Sequence, residues 1–332
     1  MSRQLIVSLF CIVVLFTLPA RGADGGFAVQ DTAGDHADVL LDGKIVARYM
    51  YAFDKSSKER LTETFKPYLH VFDAEGKAPI TKGPGGLFPH HRGIFIGWNK
   101  ISFNGKTYDR WHMPDGQIVH QKFTENKADA TSCTLTAVNN WNDPAGKPFL
   151  EEQRTMVFRK AAAPGRMTID CTFKITAIAG DVVLDGDPEH AGIHYRPANE
   201  LSTKETVYYY PVEQPAPHKD LDYPWVGMTY TLAAKQYSIV EVNDPGNPKG
   251  TKWSAYRDYG RFGAFPKAAV KKGETLTLKY RFLIVDGEMP SADAVQKVCN
   301  EFTGATDPTP KVTKLLSEQP KPAAPKPAAP AK

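Results

Sequence analysis

The sequence predicts an all-β protein, a large antiparallel β-sandwich with one C-terminal helix. Short apolar or alternating runs of strand length recur from Gly25 to Val285, the pattern of strands buried against a core on at least one face. Gly, Pro and the pairs Asp42-Gly43 and Asn104-Gly105 punctuate these runs. An Asp-Gly or Asn-Gly between apolar segments is a strong hairpin signal, because both turn residues tolerate positive φ. Before Ser291 no long period of 3.6 residues appears.

In chain order, Asp42-Gly43 joins Val39-Leu40-Leu41 to Lys44-Ile45-Val46 as a first hairpin. Lys55 to Thr64 is polar and reads as a helical turn or a loop, and Asp73 to Lys77 connects a second hairpin. Lys82-Gly83-Pro84-Gly85-Gly86 then forms a loop whose glycines let backbone pass close to a ligand. Strands are expected at Ile94 to Trp98, Ile101 to Phe103, Gln117 to Phe123, Thr131 to Trp141, Phe149 to Phe158 and Met167 to Ile178, as an antiparallel meander. Glu205 to Tyr210, Trp225 to Leu232, Tyr237 to Val242 and Thr275 to Val285 continue the series. The helix runs from Ser291 to Phe302: Ser291 is the N-cap, Asp293 lies in the first turn, and Ala294, Val295, Val298, Cys299 and Phe302 make an apolar stripe.

Residues 1–22 read as a secretory leader, with Arg3, an apolar run from Leu5 to Leu18 and a small-residue cleavage pattern at Ala20-Arg21-Gly22. The apolar run is shorter than the roughly 20 residues a membrane-spanning helix needs, so the expectation is an exported, periplasmic or extracellular protein with no stable membrane span. Residues 23–304 form a single sandwich domain. Residues 305–332 are rich in Pro, Ala and Lys, a composition that buries no core, and read as a disordered tail. Without the leader, Cys133, Cys171 and Cys299 remain, an odd number too small for a disulfide framework; Cys133 and Cys171 could pair if their strands are neighbours, and three buried thiols is the preferred reading. A net charge of +4 over 332 residues, with no basic cluster interleaved with aromatics, excludes nucleic acid as the expected partner.

Chemistry concentrates in two stretches. Phe88 to Trp98 carries His90, His91 and Arg92 just before an apolar strand, and adjacent histidines in an extended chain point to opposite faces. Asp187 to Pro197 carries Glu189, His190, His194 and Arg196; as a strand it places His190, Gly192, His194 and Arg196 on one face. Those two histidines would stand roughly 13 Å apart. Zinc ligands lie about 2.0 to 2.1 Å from the metal, so the pair cannot share one ion. A metal would need His90 or His91, His120 and one histidine of the second stretch to meet in space. No His-Glu-x-x-His or Cys-x-x-Cys occurs, so no metal ligand set and no cofactor is assigned, while a histidine-bound metal stays open. Between the stretches lie Asp109, Trp111 and His120; an indole beside a carboxylate is a platform for a sugar ring. Glu152 alternates with Arg154 along its run and reads either as a general acid or base or as half of a cross-strand ion pair.

The order of Gly83 to Trp98, Asp109 to Trp111, Gly116 to His120, Glu151 to Arg154 and Glu189 to Arg196, with Asn243 to Pro248, Trp253 and Tyr259-Gly260 behind them, resembles the PmoA-like family over residues 35–290. Its label, methane oxygenase, implies a copper protein. The resemblance maps a shared pocket onto His90, His91, Arg92, Trp98, Asp109, Trp111, His120, Glu152, Arg154, Glu189 and Arg196. By fold analogy alone, the sandwich is similar to those of galactose mutarotases. The leading expectation is a carbohydrate-processing enzyme acting on a small-molecule or oligosaccharide substrate. In it, His90, His91 or His120 moves a proton, Glu189, Glu152 or Asp109 is the carboxyl partner, and Arg92, Trp98, Trp111, His190, His194, Arg196 and Trp253 bind substrate. The alternatives are a noncatalytic sugar-binding module presenting Trp98, Trp111 and Trp253, and a metal-dependent oxygenase.

Overall fold

The structure, a computed structural model, describes residues 25–319; the leader assigned to residues 1–22 and the last part of the tail lie outside them. Two large antiparallel sheets face each other. The first has six strands in the order Phe27–Thr32, His36–Leu41, Lys44–Met50, Tyr68–Val71, Ile94–Trp98, Ala191–Tyr195. The second has nine, in the order Thr313–Leu316, Val207–Tyr210, Trp225–Leu232, Lys235–Asn243, Thr275–Asp286, Gly165–Ala177, Pro148–Lys160, Ser132–Asn142, Ile118–Ala128. Each neighbouring pair in both sheets is antiparallel. The last four strands of the larger sheet are consecutive in the chain, the expected meander.

Alternation decides which residues fill the space between the sheets. Along Gly165–Ala177, Ile169, Cys171, Phe173 and Ile175 are buried while Lys174 is exposed, as a strand with one face on a core requires. From the smaller sheet Val39, Ala47, Leu69, Ile94, Ile96 and Trp98 join the same core. The Tyr49 hydroxyl donates to Asn139 Oδ1 at 3.1 Å, and Trp98 meets Trp141 at 6.0 Å between ring centroids, both across the sandwich. Fully burying side chains of this size is worth roughly 1.5–3 kcal/mol each.

Local signals hold where backbone geometry fixes them. Asp42 and Gly43 have φ of 52° and 79°, and Asn104 and Gly105 53° and 72°. Helix Ala292–Thr303 begins on Ser291, whose side chain accepts from the Ala294 N–H, and ends on left-handed Gly304. It packs through Val295 and Cys299 on Trp225, Val240 and Leu283 of the larger sheet. The polar segment after Lys55 resolves into a short helix, Lys58–Thr64, capped by Ser57. Cys133, Cys171 and Cys299 are buried free thiols. Residues 305–319 overturn one expectation. They are not tail: Thr313–Leu316 pairs with Val207–Tyr210 as the outermost strand of the larger sheet. Composition misled here because the Pro, Ala and Lys bias lies mainly beyond this segment. Among the described residues no helix is long and apolar enough to cross a membrane.

Candidate functional site

Ile94, Ile96 and Trp98 point into the sandwich core, so Phe95 faces the other way. There it forms a separate apolar cluster with Tyr68 and Trp111. On the neighbouring strand His194 shares this outer face, with its ring 4.5 Å from Phe95 and perpendicular to it. The loops that roof this face carry the ionisable groups. Gly93 fixes one of them. With φ of 36°, a Cβ there would lie 2.1 Å from the Leu69 carbonyl oxygen, so only glycine lets the chain turn from His91-Arg92 into the strand. Gly192 does the same for the second stretch, since a Cβ would lie 2.0 Å from the Ala264 oxygen.

Over this face His90, His112 and His190 converge, with one ring nitrogen from each lying within 4.8 Å of the others. Two of the three are held by one local device, Asp-x-x-His. Asp109 Oδ1 accepts the backbone N–H groups of Trp111 and His112 at 2.8 Å each, while Oδ2 lies 2.7 Å from His112 Nδ1. Asp187 Oδ1 accepts the Glu189 N–H at 3.0 Å and lies 2.9 Å from His190 Nδ1; its Oδ2 takes Asn99 Nδ2 at 2.6 Å. A carboxylate accepts only, so each Nδ1 carries a proton, and in the neutral imidazole Nε2 presents a lone pair. Burial alone would raise the Asp109 carboxyl, but the His112 ring and the backbone N–H groups outweigh it and hold it low; Asp187 is lowered by His190 and Asn99 in the same way.

His90 supplies the third ring without a carboxylate. Its Nε2 is buried and has no hydrogen-bond partner among the described residues. Burial first, then the neighbouring His112 and Lys66, lower its pKa to about 3, which keeps it neutral. The side chains of His112 and His190 are 34% and 26% exposed, so the cluster opens to solvent on their side.

Beneath the cluster lies a rigid floor. The His91 ring stacks at 5.4 Å on His190, and the Trp111 ring lies 4.8 Å from His194. His194 Nε2 contacts the Arg92 carbonyl at 3.2 Å, and the Arg261 guanidinium donates to Nδ1 at 3.4 Å while lying over the Trp111 ring. Burial pushes both His91 and His194 far below the usual histidine range. Lys66, also buried, donates to the carbonyls of His90 and Trp111 and ties the floor to the roof. To one side Glu189 accepts from Arg257 and Tyr256, and the Glu318 N–H donates to the Tyr256 carbonyl at 2.8 Å.

The two stretches a hundred residues apart thus meet, but several expected site residues do not belong. His120 lies apart, with its ring 4.5 Å from Tyr51 and 4.6 Å from Phe123. Glu152 points between the sheets, fully buried, accepting from Arg154 Nε at 2.6 Å and Trp141 Nε1 at 2.7 Å. It is a core ion pair. Arg92 is spent on the carbonyls of Thr62, Glu63 and Pro89, closing the C-terminal end of helix Lys58–Thr64. Arg196 is spent on Pro197, Asn199 and Tyr259. Trp98, Trp111 and Trp253 are each at most 1% exposed and offer no face to a ligand, and His91 and His194 are equally buried. Sequence period locates a strand face but not which face is roofed, and here the roof consumes the arginines.

Two residues escaped the sequence reading. His112 does not stand out in the sequence by itself, but Asp109 to His112 and Asp187 to His190 share the spacing Asp-x-x-His, the signal that marks it. Phe88, 36% exposed with φ of 52°, is the aromatic side chain at the rim; its ring lies 6.2 Å from His90 and 4.9 Å from Tyr259.

Fold and site together define an antiparallel β-sandwich protein with a three-histidine cluster on the outer face of its smaller sheet. The chain belongs to the family of unknown function DUF6807, whose model matches residues 36–300. This corrects the resemblance drawn above: the family whose model matches is one of unknown function, so the label methane oxygenase and the copper it implies do not carry over to this chain. No curated protein matches the chain. Among solved structures, a protein assigned as a kojibiose phosphorylase from the human microbiome aligns with a TM-score of 0.37 at 7% identity, covering 79% of this chain and 32% of its own. A heparan sulfate lyase mutant from Pedobacter heparinus gives 0.32 at 13%, covering 81% and 36%. A galactose mutarotase-like protein from Lactobacillus casei gives 0.36 at 9%, covering 78% and 100%. The chain spans about a third of the length of the first two. Similarity at this level bears on neither substrate nor reaction.

Proposed function

We propose that the protein is an exported enzyme acting on a small, hydroxyl-rich substrate of the sugar type at the His90, His112 and His190 cluster. The observation that carries this reading is the convergence of three imidazole nitrogens, two of them oriented by Asp109 and Asp187, on a partly exposed face. Such a site can polarise or deprotonate a hydroxyl group, and Phe88 offers an apolar face beside it for the C–H side of a sugar ring. The noncatalytic alternative loses its support because the three tryptophans it needs are buried. Export rests on the leader-like N-terminus. A screen of oligosaccharides and oxidised sugars, run with wild type beside His112→Ala and His190→Ala, tests the reading. Product formed by wild type and lost in both variants supports it; sugar binding without product from any sugar would sink it.

A further inference from the structure

We infer that His90, His112 and His190 bind one divalent first-row transition ion of the zinc class and leave a coordination position open toward solvent. The inference deepens the sugar-enzyme reading, resting on it for what the ion does but not for its binding.

The argument begins with lone pairs. Asp109 and Asp187 accept from Nδ1 of His112 and His190, so in the neutral imidazoles both Nε2 atoms are free to ligate, and His90 Nε2 is buried with no hydrogen-bond partner among the described residues. One ring nitrogen from each of the three histidines lies within 4.8 Å of the others, a spacing that a single cation between them would bridge. Four-coordinate zinc with bonds of about 2.0–2.1 Å needs ligand nitrogens about 3.3 Å apart. Closing that gap takes small rotations of two loop side chains that are partly exposed. Carboxylates behind ligating histidines, fixing tautomer and ring orientation, are the usual second layer of such a centre. Here both pairs are built by the same Asp-x-x-His turn in loops far apart in sequence.

Other carboxylate–histidine pairs show that pairing alone is not the signal. His36 Nδ1 beside Asp35 and His218 Nε2 beside Glu318 are also carboxylate-paired, yet neither joins a convergent group among the described residues. A set of neutral imidazoles suits zinc and its transition-series neighbours, whereas calcium and magnesium take oxygen ligands. The charge of the ion would be balanced by Asp109 and Asp187. With three protein ligands the fourth position is left for water or a substrate hydroxyl, whose proton the ion would make easier to remove.

The test uses the full mature chain without an affinity tag, stripped with chelator, then dialysed against Zn2+ or Co2+ and counted by elemental analysis. One ion per chain is expected, with the visible bands of a low-coordinate Co2+ centre. Affinity should fall at least 100-fold in His112→Ala and His190→Ala, 10–100-fold in Asp109→Asn and Asp187→Asn, and stay unchanged in His218→Ala. Thermal unfolding of each chelated variant checks that it folds, and the partly exposed His112 gives the safest substitution. Less than stoichiometric ion after dialysis, or affinity unchanged in both histidine variants, would overturn the inference. Stoichiometric ion in a protein that turns over no sugar leaves this site standing and removes the sugar-enzyme reading; turnover by a protein that holds no ion does the reverse.

Discussion

His112 Nδ1 lies 2.7 Å from Asp109 Oδ2, while the other oxygen of the same carboxylate accepts the backbone N–H groups of Trp111 and His112. One side chain therefore sets the turn and the tautomer of the ring that follows it. In the Asp109→Asn protein the oxygen can keep the two backbone bonds, but the amide places a donor against Nδ1. The ring 15N shifts of His112 should change from the Nδ1–H tautomer while those of His190, held by Asp187, stay put. Unchanged shifts at His112 would mean that Asp109 does not fix it.

Phe88 offers a cleaner separation of binding from folding. Its ring is partly exposed and sits at the rim rather than in the core. Phe88→Ala is expected to leave stability within about 0.5 kcal/mol, as for most exposed positions, and to raise KM for a sugar substrate roughly 5–10-fold, about 1–1.4 kcal/mol of lost contact. Equal effects on KM and on unfolding would assign the ring a structural role.

For Glu152 the expectation is the opposite, a large effect on folding and none on the histidine cluster. Removing one member of a buried ion pair leaves a buried charge uncompensated, at a cost of about 3–5 kcal/mol. Glu152→Gln should therefore lower the denaturant midpoint strongly. Replacing both partners with apolar residues, as in Glu152→Leu with Arg154→Met, should recover most of the loss. A Glu152→Gln protein as stable as wild type would show that the pair is not closed in solution.

His70 is expected to make the fold acid-sensitive. Burial first, then Arg48, lowers its pKa to about 4, against about 6.5 in an unfolded chain. Above pH 6.5 both states are neutral there and the group is silent. Between about pH 6.5 and 4 the unfolded chain takes up a proton that the folded one refuses, so stability falls as pH falls, by about 3 kcal/mol in all. Below pH 4 its contribution stops changing. His70→Asn, which can keep a bond to Thr81 Oγ1, should flatten this slope in urea unfolding measured from pH 7 to 4; an unaltered slope would shift the cause to other buried histidines.

The sequence made the strands and turns legible because period-two alternation and positive-φ residues are local properties. Trp225 to Leu232 agrees to the residue, and Ser291 and Gly304 bound the second helix. The shared pocket of the His90 and His190 stretches is expected from the polar face of the second stretch and from the resemblance, but that expectation includes His120, which packs against Tyr51 and Phe123 instead. What each side chain would touch was not legible. Glu152 and His190 look alike in one dimension, two ionisable groups in strand-like surroundings; one ends between the sheets with Arg154, the other outside them with Asp187. That difference depends on which sheet face is roofed by loops, a long-range outcome no local pattern encodes.

The short strand Thr313–Leu316 does more than finish a sheet. A chain cut after Gly304, where composition alone would place the domain boundary, leaves the backbone of Val207–Tyr210 unpaired along an open edge, the kind of surface on which chains stack and precipitate. It also loses Glu318, whose N–H holds the Tyr256 carbonyl, and Tyr256 and Arg257 in turn hold Glu189 next to His190. The C-terminal segment is therefore a clasp, and anyone trimming this protein for expression should keep it through residue 319.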